Sequence, residues 1–278
     1  MGGKRLGLLL VLLALGSHPA RAQVHVLPDR EVQRVFSGEG RKVSVTLSNS
    51  AEAFEADLHT RVYQASSATA SLFYDAAWRH VQIPPGQTVS EVATLRFPPV
   101  KGETRFLVQW TDGGTRLLGM IEVWVYPPDL LKDLKPLSGN EPIAAFDPLN
   151  QIKPLLKTVP VDVVDLEKTS PEDFRGKLAI FGPFRTKTQM RAELPERIKA
   201  LAGRGVAVLW ILPPAEKRAE LEPSFYTVLE GKGAVVVVQL GVLLNLSDSP
   251  QAQKNLLQLC RQALHPEPPR LPFTTQQP

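Results

Sequence analysis

Hydrophobic and polar residues alternate along the first half of the chain. In "RKVSVTLSN", the apolar residues Val43, Val45 and Leu47 are separated by polar ones, which is the two-residue period of a half-buried β-strand. About seven or eight such segments follow one another, separated by turn residues such as those of "IPPGQT", and no helical period interrupts them. The pattern predicts antiparallel β-structure for residues 23–127.

The period changes after this region. In "YPPDLLKDLKPLSGNEP", prolines bracket a short amphipathic piece, which is typical of a linker and assigns residues 128–141 to it. Continuous apolar segments such as "KLAIFGPF" and "VAVLWIL" then alternate with helical patterns, among them "LPERIKALAGRG" and a last helix that Ser249 is expected to cap. Residues 142–265 are therefore expected to form an open, mostly parallel α/β sheet of about five strands, buried on both faces.

The expected fold class has two domains. Strand number and turn spacing in residues 23–127 resemble an immunoglobulin-like β-sandwich, although the Cys–Trp–Cys set of true immunoglobulin domains is absent. The α/β sheet follows it, and the proline-rich residues 266–278 are predicted to be a disordered tail.

The first 22 residues predict export. A basic start at Lys4 and Arg5 precedes an apolar run from Leu6 to Leu15, and Ala20-Arg21-Ala22 has the small-residue pattern of a cleavage site. Residues 1–22 are therefore predicted to be a signal peptide, and the protein to be periplasmic or extracellular and not membrane-spanning.

Charge and cysteine content narrow the chemistry. Without the three basic residues of 1–22, 29 basic residues remain against 28 acidic ones, a formal charge of +1, so nucleic acid is not expected as a partner. One cysteine, Cys260, excludes an internal disulfide, and the histidines lack metal-ligand spacing. No metal site and no cofactor are predicted.

Two segments of the second half carry a resemblance to a known family. "KLAIFGPF" and "ERIKALAGRGVAVLWILP", in their order along the chain, are similar to the strands and helix that lead to the nucleophile of class I glutamine amidotransferase-like, flavodoxin-like domains. The resemblance covers residues 142–264 and implies an active site at the carboxyl ends of the strands.

The catalytic residues of that family are missing from the corresponding positions. The nucleophilic cysteine would fall near Leu212, and the next residue is Pro213, which has no N–H to stabilise an oxyanion. The segment "QLGVLLN" after the later strand holds neither the family's histidine nor its acid, and His265-Pro266-Glu267 follows a helix in the tail. The resemblance therefore implies a domain without amidotransferase activity.

Three residues at predicted strand ends are candidates for a ligand or metal cluster. Asp147, Asp165 and Gly182 end successive strands, and two neighbouring carboxylates can bind a cation or act as acid and base. The same aspartates can instead form turns or caps, since Asp147 precedes Pro148. Sequence favours the turn interpretation and leaves the other open.

Trp124 and Tyr126 form a second candidate, an interaction surface. Trp124 is expected on the face opposite Val123 and Val125, where an indole can stack on a sugar or dock the second domain. Docking is favoured because the linker begins only a few residues later.

These observations predict an exported, non-catalytic binding or assembly protein of the bacterial cell envelope with a protein partner there. One alternative is a secreted or periplasmic hydrolase that acts on carbohydrate through the carboxylates at the sheet edge. Another is a glycan-binding module that uses the tryptophan of the first domain.

Overall fold

The computed structural model describes residues 24–29, 32–214 and 225–266. The predicted signal peptide (1–22) lies outside the described residues, and so does the predicted tail (266–278) apart from Pro266. No helix in the described part of the chain is long and apolar enough to cross a membrane.

The first eight strands form two sheets. The three-stranded sheet has the order β1-β3-β6 and is antiparallel, with β1 at Val24–Leu27, β3 at Gly38–Asn49 and β6 at Thr88–Phe97. The five-stranded sheet has the order β2-β8-β7-β4-β5, with β2 at Gln33–Phe36, β4 at Phe54–Ala65, β5 at Ala70–Ile83, β7 at Thr104–Asp112 and β8 at Arg116–Tyr126. Its strand β2 runs parallel to β8, and the other pairs are antiparallel.

Alternating side chains build a single core between these two sheets. Val43, Val45 and Leu47 of β3 are fully buried, as their spacing predicts, and they face apolar residues of the five-stranded sheet. Trp110 lies at the centre of this core, with the edge of the Trp78 ring 6.2 Å away between centroids. Burial of these side chains supplies the main stabilisation of the N-terminal region.

The remaining strands form one six-stranded sheet with the order β10-β9-β11-β12-β14-β13. Its members are β9 (Ile143–Phe146), β10 (Val163–Asp165), β11 (Leu178–Phe181), β12 (Ala207–Leu212), β13 (Phe225–Glu230) and β14 (Gly233–Gln239). Strand β13 is antiparallel to β14, and the other five strands are parallel. Separate apolar cores cover the two faces of this sheet.

Few full helices connect these strands. The α-helices are α1 (Leu134–Leu137), α2 (Lys153–Leu156), α3 (Leu194–Gly203) and α4 (Pro250–Leu264), and single 3₁₀ turns make up the rest. Ser249 caps α4 as predicted, because its hydroxyl accepts a hydrogen bond from the backbone N–H of Ala252. The predicted linker contributes Leu131 and Leu134 to the core beneath α4.

The predicted fold class, an immunoglobulin-like sandwich followed by an open, mostly parallel α/β sheet of about five strands, is wrong. The described residues are 46% strand and 20% helix, in three sheets of three, five and six strands. Helical patterns such as "LNQIKPLLK" yield only the four residues of α2, and the antiparallel strand β13 escaped the prediction. Short segments with apolar residues cannot be divided reliably between strand and helix by their period alone.

Candidate functional site

The order in which the chain adds strands to the six-stranded sheet reverses at β9. From β9 it passes to β10 on one side, and then crosses over to β11 on the other side of β9. Loops leave the carboxyl ends of adjacent parallel strands in opposite directions at such a point, and a crevice opens between them.

A cleft of about 320 Å³ lies at this point. Its floor is apolar, because the rings of Phe146 and Phe181 end β9 and β11 and stack with 6.0 Å between centroids and 25° between planes. The cleft is lined by Phe146, Leu166, Glu167, Lys168, Thr169, Ser170, Pro171, Phe181, Arg191, Glu193, Leu194 and Arg197. A volume of this size lies at the lower end of the range for small-molecule sites.

Two arginines stand at the rim of this cleft. Arg191 lies just before α3 and Arg197 lies in its second turn, and both are exposed. Neither guanidinium makes a hydrogen bond or an ion pair with a residue in the described part of the chain. Free guanidinium groups above an aromatic floor can bind the anionic group of a ligand whose remainder is apolar.

A second, more polar hollow of about 640 Å³ adjoins the cleft across Glu167 and Lys168, which line both. Here the amine of Lys153 is mostly buried and donates to the carboxylates of Asp165 (3.5 Å) and Glu167. Burial lowers the pKa of Lys153, but the hydrogen bond and charge of Glu167 and the charge of Asp165 outweigh it and raise that pKa. Lys153 therefore stays charged and is ion-paired with both acids.

Asp147 makes no hydrogen bond through its carboxylate to the side chains of Lys153, Asp165 or Glu167. It is 1% exposed, and its carboxylate accepts hydrogen bonds from the backbone N–H groups of Gln151 (3.1 Å), Ile152 (2.7 Å) and Lys153 (2.8 Å). These bonds close the turn between β9 and α2 and satisfy amides that have no partner within the helix. Asp147 is thus a capping residue that is withdrawn from solvent.

The backbone conformation of Gly182 and its close neighbours explain why a glycine lies at this position. Its φ is +100°, and a Cβ atom at this position would lie 2.5 Å from the carbonyl oxygen of Ile211. Only glycine allows β11 and β12 to approach this closely at their ends.

The three candidates at the strand ends therefore do not form one cluster through their side chains. Asp147 is engaged by backbone amides, Asp165 is paired with Lys153, and Gly182 maintains strand packing. Among the described residues, no group of three or more histidine, cysteine, aspartate or glutamate side chains has the arrangement of a metal site.

The side chains of Trp124 and Tyr126 differ in burial and in their hydrogen-bond partners. The indole of Trp124 is half-buried and donates to Glu122 (2.7 Å), which also binds Arg105 (2.7 Å). Tyr126 is buried, and its hydroxyl lies 3.4 Å from the amine of Lys254 in α4.

Positions that would be catalytic in an amidotransferase-like domain lie together without catalytic side chains. Leu212 and Gln239 are paired at the ends of β12 and β14, and Pro213 follows Leu212. Cys260 of α4 is fully buried in the core, and burial raises the pKa of its thiol to about 12.

The residues that build the cleft were not predicted as site residues. Arg191 and Arg197 of the cleft and Lys153 of the adjoining hollow have no motif of their own, and Arg197 and Lys153 lie in segments interpreted as helices. The one available signal was the pair of arginines that flank the start of a predicted helix after a strand end.

No family model and no curated protein matches the chain. Among solved structures, a β-glucosidase from Listeria innocua in complex with isofagomine is similar at 14% identity and a TM-score of 0.27, over 38% of this chain and 17% of that chain. A GH3 β-glucosidase from Bifidobacterium adolescentis is 12% identical with a TM-score of 0.26, over 38% and 17% of the two chains. The sporulation control protein Spo0M from Bacillus subtilis is 14% identical with a TM-score of 0.26, over 42% and 56%.

The chain thus spans only a small part of the β-glucosidases and about half of Spo0M. TM-scores this low carry no argument about fold or activity. None of these structures bears on the amidotransferase-like resemblance, which stays a prediction.

Proposed function

We propose that the protein is an exported, non-catalytic binding protein of the cell envelope, and that its ligand is a small organic anion with an apolar or aromatic part. The observation that carries the proposal is the cleft at the reversal point of the six-stranded sheet. Its stacked Phe146 and Phe181 suit the apolar part of such a ligand, and the free guanidinium groups of Arg191 and Arg197 suit the anionic group.

The surroundings of the cleft favour binding over chemistry. Thr169 and Ser170 supply hydroxyls, but no histidine is among the described residues that line the cleft. The Ser170 hydroxyl donates to Glu172, an acid that does not line the cleft. A hydroxyl nucleophile requires an adjacent general base within the site itself. Asp165 at the end of β10 and Glu167 just after it, the acids beside the cleft, are both ion-paired with Lys153.

Phenyl phosphate is a suitable probe because it joins a ring to a dianion. We expect saturable binding by isothermal titration calorimetry, and about tenfold weaker binding in each of the variants Arg191→Gln and Arg197→Gln, since each removes a charged hydrogen-bond donor. Inorganic phosphate and phenol, the two halves of the probe, should each bind more weakly than the whole.

Lys199→Gln is the matched control, because Lys199 is exposed on the same helix but does not line the cleft. Equal affinity of phenyl phosphate for the wild type and both arginine variants would refute this site. Release of phenol from the probe would refute the non-catalytic assignment.

The carbohydrate-hydrolase alternative loses its acid–base pair, because Asp147 serves as a buried cap. It has a separate test, the turnover of p-nitrophenyl glucosides by the purified protein. We expect no release of p-nitrophenol above that of a heat-denatured sample.

A further inference from the structure

A second cleft, of about 470 Å³, lies between the N-terminal sheets and the C-terminal region. Three walls enclose it: the turn between β6 and β7, the segment that follows β8, and one face of α4. Its lining residues are Lys101, Gly102, Glu103, Tyr126, Pro127, Leu130, Lys132, Asp133, Gln251, Lys254, Leu257, Gln258 and Arg261. Boundaries between two units of a chain are frequent places for ligand sites.

The helix α4 turns a polar stripe toward this cleft. Lys254, Gln258 and Arg261 are spaced by three or four residues, so they lie on one side of the helix. The opposite side carries Leu256 and Cys260, which are fully buried against the six-stranded sheet. The polar residues are therefore not needed for packing α4 onto its own sheet.

One carboxylate of the chain already binds in this cleft. The amine of Lys254 donates to Glu103 at 2.6 Å, and it lies 5.0 Å from the centre of the Tyr126 ring. The hydrogen bond from Lys254 lowers the pKa of Glu103, while burial raises the pKa of the Tyr126 hydroxyl beside it. The chemistry at this point thus accommodates a carboxylate beside an amine and a phenol.

Two further cations face the cleft without a partner. Lys101 comes from the turn of the N-terminal region and Arg261 from α4, and both are exposed. In the part of the chain that the structure describes, neither side chain makes a hydrogen bond or an ion pair. The other lysine of the lining, Lys132, is paired with Asp129 at 3.0 Å.

The charges of the lining do not balance. Four of the lining residues are cationic, namely Lys101, Lys132, Lys254 and Arg261, and two are acidic, namely Glu103 and Asp133. A concave surface with an excess of one sign concentrates ligands of the opposite sign.

We propose that this inter-domain cleft is a second binding site, for a small molecule with two or more carboxylate or phosphate groups. Arg261 and Lys101 bind the anionic groups from opposite walls, and the amide of Gln258 donates from the same stripe of α4. The site shares no residue with the cleft at Arg191 and Arg197, so it is independent of the function proposed above.

Such a ligand joins the two regions of the chain. Because it contacts the N-terminal turn and α4 together, it binds the native arrangement better than any state in which the regions separate. Ligand should therefore raise the unfolding temperature, and at the same ligand concentration the rise should be smaller when either cation is removed.

Citrate and pyrophosphate are the probes, titrated into the purified protein at low ionic strength to limit screening. We expect saturable binding of at least one of them, about tenfold weaker in Arg261→Gln and in Lys101→Gln because each loses a charged contact. Preference for citrate would assign carboxylate ligands, and preference for pyrophosphate would assign phosphorylated ones. Arg185→Gln, an exposed arginine outside this cleft, is the matched control.

The variant Arg261→Lys separates the contribution of the charge of Arg261 from that of its planar guanidinium group. It keeps one cation but not the planar fork, so its affinity should lie between those of wild type and Arg261→Gln. Binding that is absent for both probes, or equal in wild type and both glutamine variants, would overturn the proposal. Phenyl phosphate binding in the glutamine variants shows independently whether the cleft at Arg191 and Arg197 is intact.

Discussion

At the scale of single residues, the geometry around Asp147 determines its role. The carboxylate is buried and accepts three backbone hydrogen bonds, so it holds the turn after β9 and cannot reach a ligand. The sequence offered two interpretations of this residue, a turn or a catalytic acid. The dipeptide Asp147-Pro148 favoured the first, and the hydrogen bonds support it.

Replacing Asp147 by alanine should lower the free energy of unfolding by about 2–3 kcal/mol, because buried amides lose a charged acceptor. Urea denaturation followed by circular dichroism measures this difference. Asp162→Ala is the control, since Asp162 is exposed and its side chain makes no hydrogen bond or ion pair among the described residues. A loss of the same size in both variants would contradict the capping role.

At the scale of elements, α4 shows how a helix can be predicted from its ends and its period. Ser249 precedes the helix, Pro250 begins it, and the apolar residues recur on one side. The helix lies between the six-stranded sheet and the second cleft. Its apolar face packs against the sheet, and its polar face lines the cleft.

Ser249→Ala should destabilise the protein by about 1 kcal/mol, because the N–H of Ala252 loses its acceptor at the start of α4. Thermal unfolding compared with Ser247→Ala tests this, since the hydroxyl of Ser247 bonds, among the described residues, only to its neighbour Asp248. Equal unfolding temperatures of the two variants would show that the cap contributes nothing.

Strand β13 shows the opposite case. "FYTVLE" carries few polar residues, and which side chains face a core is settled only by its pairing with β14. Phe225 packs into the core beside α4, while Tyr226 and Val228 lie on the other face and stay exposed. No local pattern distinguishes these two faces, because the difference comes from the elements that cover the sheet.

At the scale of the whole molecule, Glu103 and Lys254 link the two regions. Glu103 has a pKa below its ordinary value of 4.5 because Lys254 donates a hydrogen bond to it, and the same bond raises the pKa of Lys254 above 10.5. A lowered carboxyl pKa stabilises the fold above the unfolded value, and this stabilisation is lost as the pH falls through the folded value. The raised pKa of the Lys254 amine stabilises the fold below the unfolded pKa of 10.5, and this stabilisation is lost as the pH rises through the pKa of the folded state.

Glu103→Gln should therefore be less stable than wild type by at most about 1 kcal/mol near neutral pH, since both groups are partly exposed. The difference should shrink as the pH falls below 4.5 and through the lowered pKa of the folded state, where Glu103 of the folded wild type becomes protonated. Urea denaturation of both proteins across this range measures it. Glu52→Gln is the control, and a difference that persists unchanged in acid would contradict the ion pair.

The sequence by itself determined the features that depend on neighbours along the chain. These include the alternating strand faces around Val43, Val45 and Leu47, the cap at Ser249 and the absence of a nucleophile at Leu212. Each follows from a period or from a side chain's chemistry within a few residues.

Only the tertiary structure decided the sheet order, the antiparallel edge strand and both clefts. Arg191 and Arg197 reach the same crevice as Phe146 because the chain crosses over β9 to form β11. Lys101 and Arg261 line the same cleft because α4 packs beside the turn after β6. Contacts between residues this far apart in sequence depend on how whole elements pack, and no local pattern encodes that packing.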